Sequence, residues 1–341
     1  MAIYIGLDAH SATSTLVSLD EAGKILNRCR VDTTEKNLLG FVRNQKGKTK
    51  LVVEESSISQ WVYALLHQEV DELIVCNPGY LGKKKGPKND LQDATHLANE
   101  LRCGHVTPVF HEQSKMMDLR ALVGAYTDVN REIVRAKNRY KALFRSEALP
   151  ASGTKIYNAP DRIKELSSNT GRFVANNILA QISHLQETKE KYLATFKSNM
   201  RKHSELKRLD SIPGIDCVRA HIIAAIICSA GRFKNKHKLW AYAMLVKYGQ
   251  DSDDKNYGLK SVQGRRELKG TFLGIAESIL IGESSLRKYY DQLRTKGLSH
   301  TNAKKALARK AAAICLAVLK QDKDYDDKLE EKRNRLERKQ A

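Results

Sequence analysis

Four carboxylates in this chain stand where a fold can gather them. Asp8 follows Ile3-Tyr4-Ile5-Gly6-Leu7, so it lies where an apolar strand leaves a sheet, and Gly6 allows a second backbone to approach closely. Glu54 ends the strand Leu51-Val52-Val53 in the same way. Asp90 and Asp93 are three residues apart at the start of an expected helix, which puts both on one face near its N-terminus. Acids gathered like this repel one another unless cations neutralise them. Mg²⁺, a hard ion that takes carboxylate oxygens, does so while polarising a phosphate for in-line displacement. Singly, each acid has a plainer role: Asp90 as a helix cap, Asp93 as an exposed first-turn acid, Asp8 as the start of a turn. Together, their four positions point to a metal site. His10 and His96 have no partner spacing and are expected to be ordinary polar residues.

Cationic segments flank these acids. Lys83, Lys84, Lys85 and Lys88 precede Asp90 in a Gly-Pro loop that either holds a nucleic-acid backbone or is merely solvated. Arg265, Arg266 and Lys269 are similar candidates. Ser211-Ile212-Pro213-Gly214-Ile215 has the look of a helix–hairpin–helix turn, whose backbone N–H groups bind phosphate, although a Pro-Gly turn before a core helix explains it equally. Ser252 lies in Lys247-Tyr248-Gly249-Gln250-Asp251-Ser252-Asp253-Asp254. Its hydroxyl needs a base or metal to become a nucleophile, and no Lys or His spacing marks one, so a polar turn is the competing reading.

The elements that must position the acids are legible from periodicity. Residues 3–7, 15–19 and 25–31 are short β-branched runs that predict an antiparallel meander; helical spacing over 35–43, a strand at 50–53, a helix at 61–66, a strand at 72–76 and a helix from about 90 follow. The order βββαβαβα matches a ribonuclease H-like (RuvC-like) fold with a five-stranded mixed sheet, by analogy of order alone. Apolar residues at Leu119, Val123, Tyr126, Ile133, Tyr140 and Leu143, and again at Ile178, Ile182, Leu185, Tyr192, Phe196 and Met200, mark two helical stripes. They predict a long antiparallel hairpin or coiled coil, buried on itself or against a second subunit, with an ordinary helical bundle as the alternative. A second compact, mainly helical unit begins after Arg208, and residues 328–341 read as a charged helix or tail with little to bury. The expected division is 1–110, an α/β catalytic domain; 111–207, a helical middle; 208–325, a helical C-terminal domain; and 326–341, a tail.

Of 341 residues, 59 are Lys or Arg and 39 are Asp or Glu, a net charge of +20 that makes nucleic acid the default partner, since releasing its counterions drives binding. A solvated lysine-rich surface is the plainer account. With 41% hydrophobic residues the chain can bury real cores, yet no apolar run approaches the roughly 20 residues of a membrane span. The N-terminal residues lack a signal-peptide pattern, so a cytoplasmic, nucleoid-associated protein without membrane contact is expected. Six scattered cysteines without a Cys-x-x-Cys pair predict free thiols rather than zinc or disulfides.

Tyr4-Ile5-Gly6-Leu7-Asp8, Val53-Glu54-Glu55-Ser56, Asn77-Pro78 and Lys88-Asn89-Asp90-Leu91-Gln92-Asp93-Ala94 resemble the DEDD transposases of the insertion sequence one-ten family, which includes the pilin-gene invertase Piv. Leu209-Asp210-Ser211-Ile212-Pro213-Gly214-Ile215, Gly231-Arg232-Phe233, Leu239-Trp240-Ala241-Tyr242 and Leu268-Lys269-Gly270 resemble that family's second domain. The resemblance implies a DNA recombinase whose RuvC-like site binds Mg²⁺ through Asp8, Glu54, Asp90 and Asp93. It further implies that a C-terminal serine forms a covalent phosphoserine link to DNA. Ser252 matches the family's serine loop best; Lys247 stands where a Pro is frequent upstream and Asp253 and Asp254 where a Gly is expected, which leaves Ser261 as the alternative. A structured bridge RNA that selects DNA, and a homodimer or homotetramer that joins acids and serine, are also implied. The alternatives are a metal-dependent nuclease or junction resolvase, and a non-catalytic nucleic-acid-binding derivative.

Overall fold

The computed structural model describes residues 1–80, 89–112, 115–252 and 255–332. Met1–Ser114 and Lys115–Ala341 form two compact units.

In the first unit, period-two alternation builds a sheet with a core on each face. Strands β1 (Ala2–Ala9), β2 (Thr13–Leu19) and β3 (Ile25–Asp32) form the expected meander, then come α1 (Glu35–Arg43), β4 (Lys48–Glu54), α2 (Ser59–Leu66), β5 (Glu72–Cys76), α3 (Asp90–Cys103) and β6 (Pro108–Val109). The order across the sheet is β3-β2-β1-β4-β5-β6, with β1, β4 and β5 parallel. Ile3, Ile5 and Leu7 pack with Leu38, Phe41 and Val42 of α1 and with Val62 and Leu66 of α2. Alternate positions face α3, where Val17 and Leu19 meet Ala94 and Ala98, and Val52 and Cys76 meet Leu97 and Leu101. A Cβ on Gly6 would lie 2.0 Å from the Ala94 carbonyl oxygen, so this glycine lets α3 rest directly on β1, as the sequence led us to expect. The sheet has six strands among the described residues, one more than expected. The extra strand, β6, has two residues and begins with Pro108, too short for any periodicity to mark.

The second unit opens with α4 (Lys115–Ser146) and α5 (Asn169–Lys202). They run antiparallel: Tyr126 meets Phe196 and Tyr192, Arg139 donates to Gln181, and the Glu147 carboxylate accepts from the Ser167 N–H. The far half of this hairpin buries Ile133, Tyr140 and Phe144 with Ala175, Ile182 and Leu185. Its near half, through Leu119, Val123, Tyr126 and Phe196, enters one core with α6 (Ser204–Asp210), α7 (Cys217–Ile227), α8 (Lys236–Tyr242), α9 (Arg266–Ile279), α10 (Ser285–Thr295) and α11 (His300–Gln321). Gly214, at φ 81°, approaches α9 so closely that a Cβ would stand 2.8 Å from the Ile275 carbonyl, and the Asp216 carboxylate already caps α7. Packing therefore accounts for the Pro-Gly turn.

Two expectations for this unit need correction. The segment around Ser252, read as a loop or turn in a mainly helical domain, is a β-hairpin of β7 (Lys247–Ser252) and β8 (Lys255–Ser261). Its mixed polar composition lacks the alternation that marks a half-buried strand. The chain after α11 also buries more than expected: residues 327–332 are helical, Glu330 is 4% exposed and pairs with Lys310 at 2.7 Å, and Asp327 accepts from the Ser285 N–H. Tertiary partners that no local pattern encodes hold it there.

Candidate functional site

Asp8 and Glu54 lie side by side near the C-terminal ends of β1 and β4. The β1–β4 register pairs Leu7 with Val53, so the next residues of these parallel strands are the two acids. Each lies two residues beyond one that faces α3, Gly6 and Val52, and so shares that face. The N-terminus of α3 arrives on that face. Asn89 caps it by accepting from the Leu91 N–H at 2.9 Å, and Asp90 and Asp93 occupy its first turn, where the helix dipole favours negative charge.

The side chains of Asp8, His10 and Asp90 converge, each offering one donor atom within 4.8 Å of the others. His10 Nε2 lies 3.4 Å from Asp8 Oδ1. The Asp8 side chain is 14% exposed, which reduces the water available to screen its charge. Glu54 and Asp93 stand outside this group of three, at adjoining strand and helix positions. Glu54 is in register with Cys76, whose thiol is pushed up to about 12 by burial first and then by the Glu54 charge.

The two gathered carboxylates fit a hard divalent cation, and the imidazole widens the fit toward Mn²⁺ and softer ions. His10 is the residue that sequence reasoning missed. Its signal was available, since Asp8 and His10 are two apart in an extended chain and so share a face.

Across the sheet from Asp8, register sets Thr15 of β2 opposite Asp8 and Arg30 of β3 opposite Thr15. The Arg30 guanidinium lies 3.5 Å from Asp90. A cleft of about 530 Å³ opens here, lined by Thr15, Arg28, Cys29, Arg30, Asn89, Asp90 and Leu91. Lys83, Lys84, Lys85 and Lys88 lie outside the described residues.

In the second unit, Ser252 ends β7 and pairs with Lys255 beside the hairpin tip, whereas Ser261 pairs with Lys247 at its base. Arg265 and Arg266 are exposed at the start of α9, Lys269 is half-buried one turn on, and Arg265 Nε donates to the Tyr242 hydroxyl at 3.4 Å.

Comparison with known proteins covers both units. Residues 5–147 match the DEDD transposase domain of IS110 elements, and residues 206–291 match the transposase domain of the IS116/IS110/IS902 family. The chain is 24% identical to an uncharacterised 44.8 kDa protein of insertion element IS116 from Streptomyces clavuligerus, over 93% of this chain and 94% of that one. It is 23% identical to a 43.6 kDa protein of insertion element IS110 from Streptomyces coelicolor and 27% identical to a 42 kDa protein of IS900 from Mycobacterium paratuberculosis. Those two matches cover 51% and 53% of this chain and only 44% and 45% of the relatives.

Proposed function

The chain belongs to the IS116/IS110/IS902 family of transposases, and from that membership we propose that it cuts and rejoins DNA to move an insertion sequence. The observation that carries this reading is the convergence of Asp8, His10 and Asp90 inside the segment that matches the DEDD domain. The strand order with α3 laid over β1 supports reading that unit as ribonuclease H-like. The division into catalytic domain, helical middle, serine-bearing domain and tail remains our proposal for the chain's organisation.

Asp8, Glu54, Asp90 and Asp93 would hold Mg²⁺, which when bound polarises the scissile phosphate and neutralises developing charge. In this reading the acids would seat that phosphate at the C-terminal edge of β1 and β4, where their register supports it. In our reading Ser252 is the nucleophile. Its oxygen bonds to phosphorus while the bond from phosphorus to a sugar oxygen breaks; the serine proton leaves to solvent, and the sugar oxygen takes up a proton. Rejoining reverses the exchange: a sugar hydroxyl of the new partner strand attacks phosphorus, loses its proton, and releases the serine hydroxyl. Arg265, Arg266 and Lys269, together with Lys83, Lys84, Lys85 and Lys88, would hold DNA or a structured guide RNA. A homodimer or homotetramer would bring acids and serine to one DNA site.

Hydrolysis by water is the second reading, favoured by an acid cluster that lies wholly within the first unit and needs no serine to assemble. One experiment separates the two. The protein, with any RNA that co-purifies, is incubated with labelled element-junction DNA and Mg²⁺, then analysed by denaturing gel and peptide mass spectrometry. We expect a DNA adduct on Ser252 that vanishes with Asp8→Ala. Cleavage that persists in Ser252→Ala and Ser261→Ala without an adduct would establish the nuclease, and binding without any product would establish a non-catalytic protein. Loss of product after ribonuclease treatment is the outcome expected of an RNA-guided enzyme.

A further inference from the structure

The cleft beside the acids has a cationic wall on β3, and its geometry points to a phosphodiester track: we infer that Arg28 and Arg30 hold successive phosphates of the strand whose neighbouring phosphate lies at Asp8 and Asp90. This rests on the reading of the acid cluster as a nucleic-acid-cutting site. Asp8, Thr15 and Arg30 form one transverse row on the α3 face of the sheet, and Arg28, opposite Val17, lies two residues back on the same face. Two residues of an extended strand span about 7 Å, comparable with the spacing of consecutive phosphates. The cleft of about 530 Å³ continues that row to Asn89 and Asp90 at the start of α3. A chain entering it therefore meets arginine before carboxylate.

The charges fit such an occupant. Among the described residues Arg28 has no carboxylate within ion-pair distance, and both arginines are exposed on their edge strand. Among the described residues the Arg30 guanidinium pairs with Asp90, at 3.5 Å and with 66% of the Arg30 side chain exposed. Water screens such a contact, so it is weak. A phosphate offers the same guanidinium a bidentate, charge-assisted pair, which is stronger. A phosphate can therefore displace the Asp90 carboxylate from Arg30 without a cation, and a cation held at Asp90 would only loosen the same contact further. The strand is thus drawn in from the β3 edge toward Asp90.

The test reads binding rather than cleavage. The full-length protein binds labelled single-stranded DNA and single-stranded RNA of one sequence in EDTA over a range of salt concentrations. Each phosphate contact contributes about 0.7 to the slope of log affinity against log salt for a single strand. Arg28→Gln/Arg30→Gln should lower the slope by about 1.4. Lys36→Gln/Lys46→Gln, which removes the same charge on and just beyond α1 at the opposite face, should leave it within half that change. A drop on DNA identifies the substrate strand as the occupant, and a drop on RNA identifies a bound RNA strand. An unchanged slope on both, or an equal drop in the lysine control, overturns the inference. Loss of cleavage in Asp8→Ala, read on a denaturing gel, speaks only to the acid site, whereas the salt slope of the arginine variants speaks only to the track.

Discussion

At the residue scale, the acid cluster is a problem in electrostatics before it is an active site. Asp8 is largely shielded from water and lies close to Asp90, so two carboxylates share one site, with His10 3.4 Å from Asp8 and Arg30 3.5 Å from Asp90. A divalent cation relieves that repulsion, and one that binds the folded chain alone must raise its stability. At one hundred times its dissociation constant the gain is about 2.7 kcal/mol. We therefore expect Mg²⁺ or Mn²⁺ to raise the melting temperature of the wild-type protein and EDTA to reverse it. In Asp8→Asn, where one charge of the repelling pair is gone, the metal-free protein should melt no lower than wild type and the response to metal should be lost. A wild-type melting curve indifferent to both ions and to EDTA would remove the site. His10→Ala should weaken the response to Mn²⁺ more than that to Mg²⁺, because imidazole suits the softer ion.

At the element scale, the site exists because α3 lies directly on β1. Gly6 permits that approach, since any Cβ there meets the α3 backbone, at Ala94 O and Ala98 N. A backbone cannot move aside as a flexible side-chain tip does. Gly6→Ala should destabilise the first unit by about 3 kcal/mol and, by displacing the first turn of α3, abolish stabilisation by metal. Gly40→Ala is the matched control. It lies inside α1 with open space around it, so the better helix former should be neutral or stabilising by up to about 1 kcal/mol. Urea unfolding of both variants, with and without metal, decides the matter; equal effects would show that the close approach is unimportant. In the second unit the β7–β8 hairpin holds the backbone of Ser252, the nucleophile we propose, beside its tip.

At the scale of the whole molecule, the near half of the long hairpin shares one core with the C-terminal helices. Phe196, fully buried near the end of α5, stacks on His221 of α7 at 4.4 Å and meets Tyr126 of α4 at 5.0 Å. One ring thus joins the long hairpin to the C-terminal core. Phe196→Ala should destabilise this unit by about 4 kcal/mol, through lost burial and the cavity left behind. The expected readout is earlier proteolysis throughout Lys115–Ala341, whereas cleavage confined to the hairpin would show that the two parts are energetically separate. The charge of +20 acts at the same scale, drawing in any polyanion with an affinity that falls as salt rises.

The sequence alone determined what depends on local order. Periodicity gave the meander, the alternation of strand and helix and both stripes of the long hairpin, because each face repeats at two or 3.6 residues. Residue types and their positions nominated Asp8, Glu54, Asp90 and Asp93, and motif resemblance led to the transposase family. Tertiary structure decided what depends on neighbours distant in sequence. It brought His10 to Asp8 and Asp90, aligned Arg30 with Asp8 through Thr15, added β6, closed the Ser252 segment into a hairpin and tied Glu330 to Lys310. Strand register and long-range ion pairs arise only when the sheet and core assemble, since a period of two shows which residues share a face but not which strand lies opposite.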